Sequence, residues 1–172
     1  TVLPNPDAAF KRKVEKIISY CNSVIVMTQN AADILMRDYV VSLDKVTIIP
    51  HGVHLVPHSN KKQLKEKYGL TDRTVLSTFG LIGSGKSIET SLDALRAIIK
   101  KNPEVLFLVI GKTHPNIVKH EGEVYRKMLE DKVENLGLQQ HVRFINYYLP
   151  LNDLLEYLQL TDIYLFTSRD RN

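Results

Sequence analysis

Residues 80 to 87 read Gly80-Leu81-Ile82-Gly83-Ser84-Gly85-Lys86-Ser87, a combination suited to holding phosphate. Glycines permit close backbone approach and the φ angles of a tight turn. A lysine supplies a point charge. The free N–H groups in the first turn of a following helix point at an anion. The octet also satisfies the P-loop pattern G-x-x-x-x-G-K-[ST] letter for letter. A P-loop needs magnesium held by the Ser/Thr after the lysine and by an acidic residue ending another strand. Ser87 could supply the first ligand. The second is missing at the expected places, where apolar runs lead into Gly111-Lys112 and Thr167-Ser168, and Asp170 lies further on. A P-loop NTPase, another phosphate-binding enzyme and a non-catalytic α/β scaffold with a structural glycine turn all remain open from the octet alone.

The elements that position the octet follow from periodicity. The pattern predicts helix 8–20, strand 23–27, helix 30–39 and strand 45–49 in residues 1–50. Pro50, Gly52, Pro57 and Asn60 mark residues 51–60 as a hinge or linker. Residues 61–172 alternate as helix 61–68, strand 74–79, helix 87–101, strand 105–110, helix 121–136, strand 142–146, helix 151–159 and strand 163–167. The run Val105 to Ile110 is wholly apolar, as in a parallel strand covered on both faces. The expected fold class is therefore α/β, a doubly wound parallel sheet. With the common strand order 3-2-1-4, strands 74–79 and 163–167 are neighbours and the order reverses between them. Ligands of such sheets bind beyond the carboxyl ends at that crevice, where residues 80–86 and Thr167-Ser168 are expected to meet.

Composition narrows the class. The chain has 172 residues, is 44% hydrophobic and carries a net charge of +4. No apolar run reaches the roughly 20 residues that span a bilayer, and the first residues are polar. Cys21 is the only cysteine, which suits a reducing, cytoplasmic setting; it is expected as a small buried residue at the start of a strand. Nucleic acid is not an expected partner, because no basic stripe is interleaved with aromatics. Lys61, Lys62, Lys65 and Lys67 form the densest basic cluster. They read as a solvated face or as a peripheral contact with an anionic membrane surface. His51, His54 and His58 fall in the proline-bracketed hinge with no acidic companion, so no metal site is expected. Thr1 is not a start methionine and Asn172 closely follows an apolar strand, so the chain is expected to be part of something longer, truncated at both ends.

Six segments carry a wider resemblance: Asn22 to Thr28, Lys45 to Val53, Phe79 to Ile82, Lys86 to Leu95, Leu108 to Gly111, and Thr161 to Ser168. In that order and spacing the chain resembles the retaining GT-B glycosyltransferases of the group 1, or family 4, type. The resemblance implies that residues 1–50 are the end of an acceptor-side Rossmann-like domain. Residues 61–172 are then an incomplete nucleotide-sugar-binding domain. It implies transfer of a sugar from a nucleoside-diphosphate donor to a hydroxyl acceptor with retention, in glycan or polysaccharide biosynthesis. It also implies that transfer requires no cofactor and no metal. Residues 1–172 alone are expected to lack transfer activity.

The resemblance also implies roles. Lys86 falls where the family has the lysine that contacts the donor diphosphate, and would stabilise charge on the leaving group. Gly80 and Gly83 fall in the loop that approaches the sugar diphosphate. Gly111 ends a strand at the cleft, and Lys112 reaches a phosphate or the nucleoside or is a surface charge. Tyr147 or Tyr148 either stacks on the base or packs against helix 151–159. Leu81 stands where an arginine is common, removing one of two expected cations. Ser87 stands where a glycine is common, and Asn146 or Tyr147 replaces another. The acidic pair of the family is expected at or beyond Asn172; Asp170 and Arg171 give no clean match to it.

Overall fold

The computed structural model describes residues 3–168. The chain divides into two compact units, one ending at Leu55 and the other beginning at Val56.

The first unit is built from α1 (Ala8–Ser19), β1 (Val24–Val26), α2 (Gln29–Asp38) and β2 (Val46–Ile48). Asp7 caps α1, its carboxylate accepting from the N–H groups of Ala9 and Phe10 at 2.8 Å each, which satisfies donors that a helix start leaves orphaned. Phe10, Val14 and Ile18 recur at helical spacing and pack on a core of Val26, Ala32, Leu35 and Tyr39. β1 and β2 pair in parallel. Cys21 does not begin a strand: it sits part-buried in the turn after α1, its thiol 3.3 Å from the Ile17 carbonyl. The polar pair Asn22-Ser23 delays β1 until Val24.

The second unit contains α3 (Lys61–Lys67), β3 (Thr74–Phe79), α4 (Ile88–Ile98), β4 (Val105–Ile110), α5 (Pro115–Glu121), α6 (Val124–Asn135), β5 (Val142–Ile145), α7 (Leu151–Leu160) and β6 (Ile163–Tyr164). Its sheet has the order β5-β4-β3-β6 with every pair parallel, the 3-2-1-4 arrangement expected. Alternate residues of the strands feed two cores. Leu76, Phe107 and Val109 meet Leu92, Leu95 and Leu129 of α4 and α6. Val75, Leu106 and Leu108 meet Leu64, Tyr157 and Leu160 of α3 and α7. Every residue of β4 is buried, because helices cover it on both faces and strands flank it on both edges.

Two expectations are corrected here. The helix expected over 121–136 is α6, which starts only at Val124, and a short helix that was not expected, α5, precedes it and ends at Gly122, which takes φ +66°. The strand expected over 163–167 pairs only at Ile163 and Tyr164.

Candidate functional site

Beyond the carboxyl ends of three strands lies a cleft of about 430 Å³. Phe79, Gly80 and Leu81 line it from β3, and Ile110, Gly111 and Lys112 from β4. Tyr147 to Leu149, after β5, and Leu151 and Leu154 of α7 form the remaining wall. The cleft is thus bounded by the ends of β3 and β4 and by the segment after β5, and none of the described residues after β6 lines it. Leu149 is buried in the α3/α7 core, so the chain leaving β5 folds over and walls off this side.

Gly80 and Gly111 shape the floor. Both have strongly positive φ, +133° and +132°, a region that side chains rarely adopt. A Cβ on Gly111 would lie 2.0 Å from the Gly80 carbonyl oxygen, and one on Gly80 would lie 3.2 Å from Lys86 Nζ. The first glycine lets two strand ends touch, and the second makes room for an ammonium. The ladder continues past the strands, with Gly80 N–H on the Ile110 carbonyl at 3.1 Å and Ile82 N–H on the Lys112 carbonyl at 2.8 Å.

Lys86 stands at the rim, part-buried, its ammonium beside Gly80 and 5.9 Å from the Phe166 ring centroid. Among the described residues it is in no ion pair. Its carbonyl accepts from the Thr167 hydroxyl at 2.8 Å, so a side chain of the segment after β6 bonds the backbone of this loop.

Two N–H groups of the octet are used within it. Lys86 N–H bonds the Gly83 carbonyl and Ser87 N–H the Ser84 carbonyl, closing a 3₁₀ turn over Ser84–Lys86. Ser87 is buried and left-handed, with φ +48°. The N–H of Ile88 points at Tyr125 Oη, 3.0 Å away, rather than at open space. Tyr125 in turn donates to Glu89 at 2.5 Å. Burial, reinforced by the bond to Glu89, pushes the Tyr125 phenol upward, so it remains a protonated donor at neutral pH. The expected free helix N-terminus is therefore capped by a side chain of α6, and a carboxylate already answers the helix dipole. The positive charge here comes from side chains, Lys112 in the lining and Lys86 beside Gly80.

The other sequence-derived candidates fall in two groups. Gly80, Gly111, Lys112 and Tyr147 line the one cleft, with Lys86 at its edge. Gly83 is apart: it is buried, and a Cβ there would meet Ile117 of α5 at 2.6 Å. Tyr147 is 55% exposed, so its ring is open to the cleft. It also neighbours α7, since burial and then Tyr147 push the Tyr157 phenol up. Asp170 and Arg171 lie outside the described residues.

One residue escaped the sequence reading. Arg126, on α6, is only 7% exposed, and its guanidinium meets four partners. It donates to the Gly111 carbonyl at 2.8 Å, to Thr113 Oγ1 and Glu123 Oε2 at 3.3 Å each, and to Asn146 Oδ1. Nothing in its sequence neighbourhood marks it, because its partners come from two other segments, after β4 and after β5, besides its own helix start.

Three of the four clustered lysines are already paired. Lys61 and Lys65 meet Asp162, and Lys67 meets Glu156. They hold α3 to the start of β6 and to α7, leaving less charge for an anionic surface. Among the described residues no helix is long and apolar enough to cross a membrane.

The sequence profile of the glycosyl transferases group 1 family matches residues 49–170. The chain belongs to the group 1 glycosyl transferases. It is 25% identical over 169 residues to mannosylfructose-phosphate synthase of Agrobacterium fabrum (strain C58 / ATCC 33970), covering 93% of this chain and 36% of that enzyme. Among solved structures it is similar to Anabaena Alr3699/HepE in complex with UDP, with TM-score 0.75 and 18% identity, covering 96% of this chain and 44% of the other. It is also similar to sucrose-phosphate synthase of Thermosynechococcus elongatus, with TM-score 0.68 and 20% identity over 95% of this chain and 39% of the other. This group 1 chain thus spans less than half the length of each of these relatives. The structural likeness confirms the α/β, Rossmann-like fold.

Proposed function

We propose that the chain supplies the donor side of a glycosyltransferase that moves a sugar from a nucleoside diphosphate to a hydroxyl acceptor, with retention. The observation that carries this reading is the Lys86 ammonium beside Gly80, one of the residues that, with Gly111, Lys112 and Tyr147, line the cleft. A diphosphate laid across the β3 and β4 ends meets Lys86, with Lys112 as a second cation. Its base then lies toward Tyr147 and the apolar wall of Leu149 and Leu154. Charge that builds on the departing diphosphate is answered by a fixed ammonium, and the walls orient the donor. The Anabaena neighbours were solved with UDP and with UDP-glucose, which makes a uridine diphosphate sugar the first probe. A glycan or polysaccharide is the product class we infer, with no added cofactor, cytoplasmic placement and at most a peripheral membrane contact. The domain boundaries we propose are those of the sequence reading, with the hinge at residues 51–60 between acceptor-side and donor-side parts.

The test is calorimetric titration of UDP, UDP-glucose, ATP and GTP, each with and without magnesium. Saturable UDP binding that magnesium leaves unchanged is expected. Magnesium-dependent binding and hydrolysis of ATP or GTP would instead favour the phosphate-loop reading. Residues 1–172 alone are expected to show no sugar transfer.

A further inference from the structure

The buried guanidinium of Arg126 joins two segments that the sheet leaves unjoined. Ladder bonding between β4 and β5 ends at the N–H of Gly111, which donates to the Ile145 carbonyl at 3.0 Å. The next groups on either side, the Gly111 carbonyl and the Asn146 side chain, are both held by Arg126. Its Nε reaches Thr113 and Glu123, and Thr113 itself donates to Glu123. Asn146 Nδ2 also reaches Glu130 on the same helix at 3.5 Å. Burying a guanidinium is costly unless its donors are satisfied, and an apolar side chain of similar volume often stabilises a fold as well or better. Fold stability alone therefore gives a weak reason for an arginine here. What an apolar residue could not do is grip both strand ends on one rigid, planar fork. The residues that follow the two gripped positions are Lys112 and Tyr147, which line the same cleft.

We propose that Arg126 is a positioning residue for the donor: by clamping Gly111 to Asn146 it sets the separation of Lys112 from Tyr147, the cation and the ring between which the nucleotide is held. The inference rests on the donor-site reading above. It adds that the width of the site is set from α6 by a residue that touches no substrate.

The experiment titrates UDP into the 172-residue chain and into its Asn146→Ala, Arg126→Met, Arg126→Lys, Lys112→Ala and Arg126→Lys/Lys112→Ala variants. Asn146 is exposed, so Asn146→Ala removes one side of the clamp with the core intact and decides the matter even where Arg126→Met does not fold. Both are expected to weaken UDP binding about tenfold, the scale of one charge-assisted hydrogen bond. Arg126→Lys restores the charge without the fork and recovers part of the loss. The losses of Arg126→Lys and Lys112→Ala are expected to be less than additive, because one acts through the other; full additivity would overturn the proposal. So would wild-type affinity in Asn146→Ala and in folded Arg126→Met. A wild-type chain that does not bind UDP would instead overturn the donor-site reading itself.

Discussion

The two ends of the second unit's sheet use the same residue types for opposite purposes. At the amino end, Arg73 donates to the carbonyls of Glu104, Val105 and Gln140, stitching the starts of β3, β4 and β5. Beside it, Asp162 accepts from Lys61, Lys65 and the Val75 N–H. The cations there are consumed by protein acceptors. At the carboxyl end Arg126 is consumed in the same way, while Lys86 and Lys112 are in no ion pair among the described residues and stand at a cleft floored by two left-handed glycines. The difference separates cations bonded to protein acceptors from cations in no ion pair among the described residues, the two that we propose meet the donor.

Gly111→Ala is the harshest way to break the contrast. The new Cβ would strike the Gly80 backbone in a conformation unfavourable for alanine. We expect a loss of about 3 kcal/mol or more of stability, read by urea unfolding, together with loss of UDP binding. A variant of wild-type stability would show that the strand ends are not in contact.

Asp162→Asn tests the amino end. We expect a cost of about 1–2 kcal/mol with UDP affinity unchanged. The sign of the pH dependence follows from the geometry. Burial alone would push the Asp162 carboxyl up, but Lys65, the Val75 N–H and Lys61 outweigh it and hold the group below the ordinary carboxylate range. Its contribution is complete above about pH 4, the unfolded value, and is lost as pH falls through the lower folded value. The Asn variant should flatten the acid limb of stability against pH. An unchanged acid limb would remove Asp162 from the account.

A finer distinction separates the two lysines on that carboxylate. Each also donates to a backbone carbonyl, Lys65 to Arg73 at 2.8 Å and Lys61 to Thr161 at 2.9 Å, but the Lys65 side chain is 13% exposed whereas Lys61 is 45% exposed. Lys65→Ala should cost about 1–2 kcal/mol. Lys61→Ala should cost no more than about 0.5 kcal/mol, a melting shift at the edge of detection, and neither should move UDP affinity.

Much of this architecture was legible in the residues. The unbroken apolar run at 105–110 announced a strand covered on both faces, and β3 and β4 have the bounds expected. The sequence reading assigns no element to residues 111–120, where α5 lies, and Pro115 is part of that helix. It occupies the first turn of α5, where its missing N–H costs nothing, with His114 Nδ1 accepting from Asn116 N–H at 3.1 Å. The octet shows the limit of motif reading. Its letters match a phosphate loop, yet the Ile88 N–H is capped by Tyr125, a residue 37 positions away that no local pattern reveals. Arg126 was invisible for the same reason: a clamp made of distant acceptors exists only once the strands are side by side. Lys86 and the glycines at 80 and 111 were legible because strand-end glycine and a lysine before a helix are local features.

The most direct test of a cation set aside for a diphosphate is UDP titration of Lys86→Ala beside Lys112→Ala, with melting temperatures recorded in parallel. The account predicts wild-type melting for both, a loss of about tenfold or more in affinity for Lys86→Ala, and a smaller loss for Lys112→Ala. Unchanged affinity in Lys86→Ala, or equal losses at the two positions, would contradict it.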